Sequence, residues 1–157
     1  MKFYNYTVLI LCFLFNVKAD DLNNHIYLEL GGHGLMYSVN YERMISGDFY
    51  LKAGASIFEF GLWEGTGDKF MVFPVSLGVV TGKTRHHNEF GAGIDVIYRK
   101  DLQDDRESKK YFTPIALAAY RYHYDNGWVF RGSFTPFYDV EEEKIIPYFG
   151  LSFGRMF

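Results

Sequence analysis

The sequence predicts an all-β fold, an antiparallel up-and-down transmembrane β-barrel of about eight strands. Three observations lead there. Large apolar residues alternate with small or polar ones along nearly the whole chain, and no convincing helical period interrupts them. Aromatics make up 20% of the residues, beside 16 glycines and a hydrophobic fraction of 48%, which is more aromatic than a soluble domain of this size needs. Beyond the amino-terminal segment, no apolar run is long enough to cross a bilayer as a helix. Only helices and closed barrels satisfy every backbone group in lipid, so a membrane-embedded chain of this kind must be a barrel.

The amino end reads as a secretory signal peptide over residues 1–19. Lys2 supplies the positive charge, residues 6–17 are almost wholly apolar, and Val17-Lys18-Ala19 places cleavage after Ala19. An apolar run of about 12 residues is short for a spanning helix. Cys12 lies inside this run without the small residues that lipoprotein cleavage requires, so it leaves with the signal. The barrel domain, residues 20–157, then has no cysteine for disulfides or thiol chemistry. Its length is 157 − 19 = 138 residues, enough for one domain. Removing Lys2 and Lys18 leaves 16 − 2 = 14 basic residues against 19 acidic ones, a net charge of −5. That balance argues against nucleic acid as a partner.

Taken in order, the strands are expected at 25–30, 35–45, 49–60, 70–80, 87–98, 112–124, 128–137 and 145–157. Gly31-Gly32-His33-Gly34 makes a tight reversal between the first two. Ser46-Gly47-Asp48 and residues 81–84 turn the chain sharply, and Asp125-Asn126-Gly127 has the Asn-Gly pair suited to a type I′ turn. Longer connections fall between these, at 61–69, 99–110 and 138–144. Short turns alternating with long loops match periplasmic turns and extracellular loops, and an even strand count returns both termini to the periplasm.

The small and polar faces point inward on this reading. An eight-stranded barrel is only wide enough for side chains to fill it. Glu42, Lys52, Glu89, Asp95, Arg121 and Arg131 fall on those faces, and isolated buried charges are expensive, so they are expected to pair as a structural network in the lumen. The competing role for the same residues is a proton or ion path. Tyr98, Tyr111, Phe112, Tyr120, Tyr122, Tyr124, Trp128, Phe137, Tyr138 and Tyr148 sit near strand ends, as an interfacial aromatic girdle requires.

The terminal strand puts Phe149, Leu151, Phe153 and Phe157 on one face, opposite Gly150, Ser152 and Gly154. Arg155 alone stands where the period calls for a hydrophobe. With the signal peptide and the phrase Gly31-Gly-His-Gly-Leu-Met-Tyr-Ser-Val-Asn-Tyr-Glu-Arg43, this strand resembles the small outer-membrane β-barrel proteins of Gram-negative bacteria, the OmpA/OmpX/OmpW-like group. The resemblance implies insertion by the barrel-assembly machinery, which reads Phe149, Leu151, Phe153 and Phe157 as an insertion signal. It implies outer-membrane lipid and lipopolysaccharide as surroundings and a monomer in the cell outer membrane. It implies no activity.

Outer-membrane lipid A deacylases of similar size carry His-x-Ser, where the histidine activates the serine. None of His25, His33, His86, His87 or His123 has a serine two residues later, and the Asp-Ser pair of similar palmitoyltransferases is absent. His86 and His87 are adjacent, so on a strand they point to opposite faces and do not make a metal site. No catalytic residue, metal or cofactor is expected. The expected protein is a non-enzymatic integral outer-membrane barrel with a structural or surface-interaction role through its loops. Two alternatives remain, a narrow pore for small solutes or ions, and a soluble lipocalin-like ligand-binding barrel with its apolar faces turned inward.

Overall fold

The computed structural model describes residues 23–60, 67–101, 108–139 and 142–157. The signal peptide and Cys12 lie outside the described residues, as do residues 61–66, 102–107 and 140–141 of the three long loops. Ten strand segments follow in order: β1 (Asn24–Gly31), β2 (Tyr37–Ser46), β3 (Phe49–Phe60), β4 (Asp68–Lys83), β5 (His86–Asp101), β6 (Ser108–His123), β7 (Trp128–Phe134), β8 (Phe137–Asp139), β9 (Lys144–Ile146) and β10 (Phe149–Met156). One 3-10 turn, Gly32–Gly34, joins β1 to β2.

These segments make eight barrel strands, because β7 with β8 and β9 with β10 are two strands, each interrupted once. Pro136 and Pro147 stand at the interruptions. Proline has no N–H for the ladder, so a strand breaks or bulges around it. Thr135 still donates to the Tyr148 carbonyl at 2.8 Å and Ala116 to that of Pro136 at 3.0 Å, so the wall stays continuous. Each strand pairs antiparallel with its neighbour in sequence from β1 to β7. β10 then pairs with both β7 and β1 and closes the barrel. Asn24 and Phe157 exchange backbone hydrogen bonds of 3.0 and 2.8 Å, so both described chain ends lie at one end of the barrel. That terminal end also carries the short turns, and the long loops leave from the other.

The faces are the reverse of a soluble protein's. Leu30 (66% exposed), Leu77 (64%), Phe90 (54%) and Leu151 (57%) point out of the wall. The largest fully buried side chains include Arg121, Arg131, Lys52, Glu29, Glu42 and Glu89. Water would not tolerate so continuous an apolar exterior, and hydrocarbon requires one. The lipocalin-like arrangement, with apolar faces inward, is the opposite of the one observed. Inward glycines make room for the inward rings. A Cβ on Gly78 or Gly91 would sit 2.5 or 2.7 Å from the Tyr50 hydroxyl, and one on Gly154 would sit 2.2 Å from the Tyr27 Cβ.

The alternation sets every strand and its facing, and the structure extends most of the bounds. β4 runs to Lys83 and β6 starts at Ser108, so the central strands take in residues assigned to the 61–69, 81–84 and 99–110 connections. Antiparallel pairing continues past the last apolar residue wherever the partner also continues, as at Lys100↔Ser108. The Asn126–Gly127 turn is not type I′. Only Gly127 has a positive φ (83°), and its N–H returns to the Tyr124 carbonyl at 3.0 Å, the pattern of a type I turn followed by a left-handed glycine. The connection from β1 to β2 lies at the loop end yet is short, and it folds inward rather than out. Gly31, Gly32 and Leu35 all take positive φ (72°, 64° and 66°), and His33 is pressed into the barrel with 1% exposure.

Candidate functional site: the barrel lumen

The inner face of each strand delivers one layer of the lumen. Register alone brings some charges together: His25, Glu42 and Lys52 lie in one cross-strand row over β1, β2 and β3, and Arg121 pairs across with Arg131 over β6 and β7. Two arginines side by side in a buried wall need carboxylates from elsewhere. Arg121 donates both terminal nitrogens to Glu42, at 2.7 and 2.6 Å, and its Nε to Glu89 at 2.6 Å. Arg131 donates to Glu29 at 2.7 Å, to both Glu89 oxygens at 3.3 Å and, through Nε, to Ser152 at 2.9 Å. Glu89 thus bridges the two guanidinium groups. Tyr50 and Tyr27 lie beneath them, with ring centroids 5.3 and 4.5 Å from the Arg121 and Arg131 guanidinium carbons.

Four of the six charges singled out in the sequence, Glu42, Glu89, Arg121 and Arg131, meet in this lattice. Arg121 faces inward, with Tyr120 and Tyr122 on the outer face. Lys52 and Asp95 are also buried in the lumen, at 0% and 1% exposure, but they stand apart: Lys52 Nζ and Asp95 Oδ1 have no hydrogen-bond partner among the described residues. Glu29 was not singled out, although its alternation with Leu28 and Leu30 places it inward and could have flagged it. His33 belongs to a turn, and no periodic signal marks a residue that a turn folds into a barrel. His25 lies at the terminal end, 3.9 Å from Glu42. His87 and His123 stack there with centroids 4.1 Å apart.

The loop end of the lumen has a different lining. A cavity of about 200 Å³ opens there between Leu35, Phe70, Ile97, Tyr111 and Phe137, with Thr113, Arg99 and Asp139 completing its wall. Arg99 is held by Asp68 at 2.7 Å. Phe70 stacks on Phe58 at 5.3 Å, and Tyr148 donates its hydroxyl to the Leu35 carbonyl at 2.6 Å. Tyr111, Phe137 and Tyr148 therefore line or brace this inner mouth and do not belong to an outer girdle. Tyr111 pairs in register with Ile97, and Phe137 with Ile115, so both share the inward parity.

The rest of the aromatic set does collect near the two rims on the outside. At the terminal end Tyr122 packs edge-on against Tyr124 (4.8 Å), His86 contacts Tyr120, and Trp128 stacks on Phe153 (4.7 Å). Towards the loop end Lys110 lies over Tyr98 and Phe112, at 5.2 and 4.7 Å from their ring centroids. His86 and His87 diverge as adjacent strand residues must, and no group of three or more metal-ligating side chains forms among the described residues.

Closed wall, apolar exterior and an interior of paired charged side chains define the class: an eight-stranded transmembrane β-barrel. No family profile matches the chain, and no curated protein matches it in sequence. Among solved structures the chain is similar to that of Ail, the attachment invasion locus protein of Yersinia pestis. The identity is 14% and the TM-score 0.49, over 85% of this chain and 95% of that one.

Proposed function

We propose that this protein is a non-enzymatic monomeric barrel of the bacterial outer membrane. It is exported by its signal peptide, with both termini periplasmic, and its loops meet the cell's surroundings. The observation that carries the reading is the lumen lattice. Five side chains, Glu29, Glu42, Glu89, Arg121 and Arg131, are joined by hydrogen bonds of 2.6 to 3.3 Å across the interior. A barrel filled in this way offers solutes no open path, which leaves the loop end as its working surface. Glu42, Lys52, Glu89, Asp95, Arg121 and Arg131 have a structural role here, holding the wall closed around a polar interior. Phe149, Leu151, Phe153 and Phe157 form the strand that the assembly machinery reads, in contact with outer-membrane lipid and lipopolysaccharide.

Protease treatment of intact cells tests location and orientation together. Cleavage within the connection between β5 and β6 from outside, with the terminal-end turns protected until the cells are opened, is the expected result. Recovery of the protein in the soluble periplasmic fraction would overturn it. Heat-modifiable gel migration reports the folded barrel independently of both. Deleting Phe157 should lower the amount of folded barrel severalfold, and unchanged amounts would remove its role as an insertion signal.

A further inference from the structure

The outer wall carries a groove that nothing in the described chain fills, and Gly132 is at its floor. Among the described residues, a Cβ on any other strand glycine would lie within 3 Å of a neighbouring atom. A Cβ on Gly132 would meet nothing nearer than Leu151 Cδ2, at 3.9 Å. Packing within the protein therefore does not require a glycine in the middle of β7. Glycine weakens a strand, and inside one it often marks the close approach of a ligand. The cross-strand neighbours of Gly132 are Leu151 and Tyr120, both pointing outward. Ala118, set between Phe90 and Phe134, continues the floor towards the loops. The result is a groove of about 1000 Å³ along the lipid-facing wall.

The groove has a direction. Towards the loops its flanks are Phe90, Phe134 and Phe149, and at the terminal end it is bounded by Asn88 and Tyr120. The Tyr120 hydroxyl is engaged with His86 Nδ1. The Asn88 amide is exposed on the outer face without a hydrogen-bond partner among the described residues. An amide left unpaired against hydrocarbon is costly, so its partner comes from the membrane. β5 begins at His86, which puts Asn88 roughly 5 Å inside the rim of a tilted strand, where polar and apolar lipid meet. Leu151 and Tyr120 stand on the strands either side of β7, with backbones about 10 Å apart. That gap suits one hydrocarbon chain and is too narrow for the face of a second barrel. On the proposed placement, a membrane barrel with periplasmic termini, the polar end of the groove faces the inner leaflet. We propose that the Gly132 groove binds one acyl chain of a periplasmic-leaflet glycerophospholipid, whose ester carbonyl accepts a hydrogen bond from Asn88 Nδ2.

The test uses the purified barrel in nonionic detergent, with folding checked first by heat-modifiable migration. Palmitoyl-oleoyl phosphatidylethanolamine is added, and native mass spectrometry reads the lipid retained. The wild type should keep one phospholipid per barrel. Gly132→Leu fills the groove and should lower retention severalfold, and Asn88→Leu should also lower it. Ala53→Leu, on the outer face of β3 away from the groove, should leave it unchanged. Equal retention by the wild type and Gly132→Leu would overturn the proposal, and so would an equal loss in Ala53→Leu. A diether analogue retained as well as the diester would overturn the hydrogen bond from Asn88. Lipid A displacing the phospholipid at equal concentration would overturn it in favour of lipopolysaccharide. A wild-type dimer lost in Gly132→Leu would overturn it in favour of a second copy. Should Gly132→Leu fail to fold, Ala118→Leu closes the same floor and gives the same reading. Because binding is read on folded barrels, its absence overturns the groove alone and leaves the outer-membrane placement to the protease test.

Discussion

The two halves of the lumen are built from the same alternating strands and differ in what fills them, linked charges in one and an aromatic-lined cavity in the other. At mid-barrel and towards the termini, Arg121 and Arg131 each place Nε and the terminal nitrogens on partners between 2.6 and 3.3 Å away. Towards the loops the lining turns aromatic. Among the described residues, unpartnered buried atoms occur in both halves, Lys52 Nζ, Asp95 Oδ1 and the His33 ring nitrogens in one, Glu29 Oε2, the Tyr27 and Tyr50 hydroxyls and the His25 ring nitrogens in the other. The ionic lattice ties β1, β2, β5, β6 and β7 together across the interior through Glu29, Glu42, Glu89, Arg121 and Arg131. The loop-end half holds the cavity of about 200 Å³. Substitutions in the lattice are therefore expected to cost more than substitutions around the cavity.

The comparison breaks most sharply at Arg121. Arg121→Met strands Glu42 and Glu89 in the interior and should cost about 3–5 kcal/mol, read as a large drop in the urea midpoint of the heat-modifiable form. A charge on the opposite face of the wall ranks next. Leu77 is 64% exposed towards lipid in the middle of β4, and Leu77→Arg should cost about 2–4 kcal/mol in lipid vesicles. Overpacking beneath the lattice should cost less. Gly91→Val drives a side chain into the Tyr50 hydroxyl, 2.7 Å from an added Cβ, and should cost about 1–3 kcal/mol. The smallest change belongs to the loop-end half. Asp95→Asn removes no hydrogen bond at Oδ1 and should shift stability by no more than about 1 kcal/mol. A loss at Asp95 equal to that at Arg121 would erase the distinction between the halves.

Period-two alternation made the fold legible, because the two faces of each strand meet solvents as different as hydrocarbon and a packed polar interior. It set which residues face inward, including Arg121 between Tyr120 and Tyr122. Alternation carries no information on which inward charges meet. Arg121 and Glu42 are 79 residues apart in sequence, and their contact depends on how the closed sheet curls and staggers. For the same reason Glu29 went unnoticed as a partner of Arg131, 102 residues away. Lys52 and Asp95 have the right facing but lie beyond the reach of the lattice. Connections obey no period at all, so the inward fold at Gly32–Gly34 and the burial of His33 had no sequence signal. Tyr111 and Phe137 show the limit of residue type as a guide. Aromatics near strand ends suggest a girdle, but parity turns these two inward.

If the lattice of Glu29, Glu42, Glu89, Arg121 and Arg131 closes the barrel, the lumen carries no ion current. Planar-bilayer recording of the purified wild-type protein tests it most directly. The account predicts insertion without stable single-channel steps. Reproducible ion steps of uniform size would contradict it.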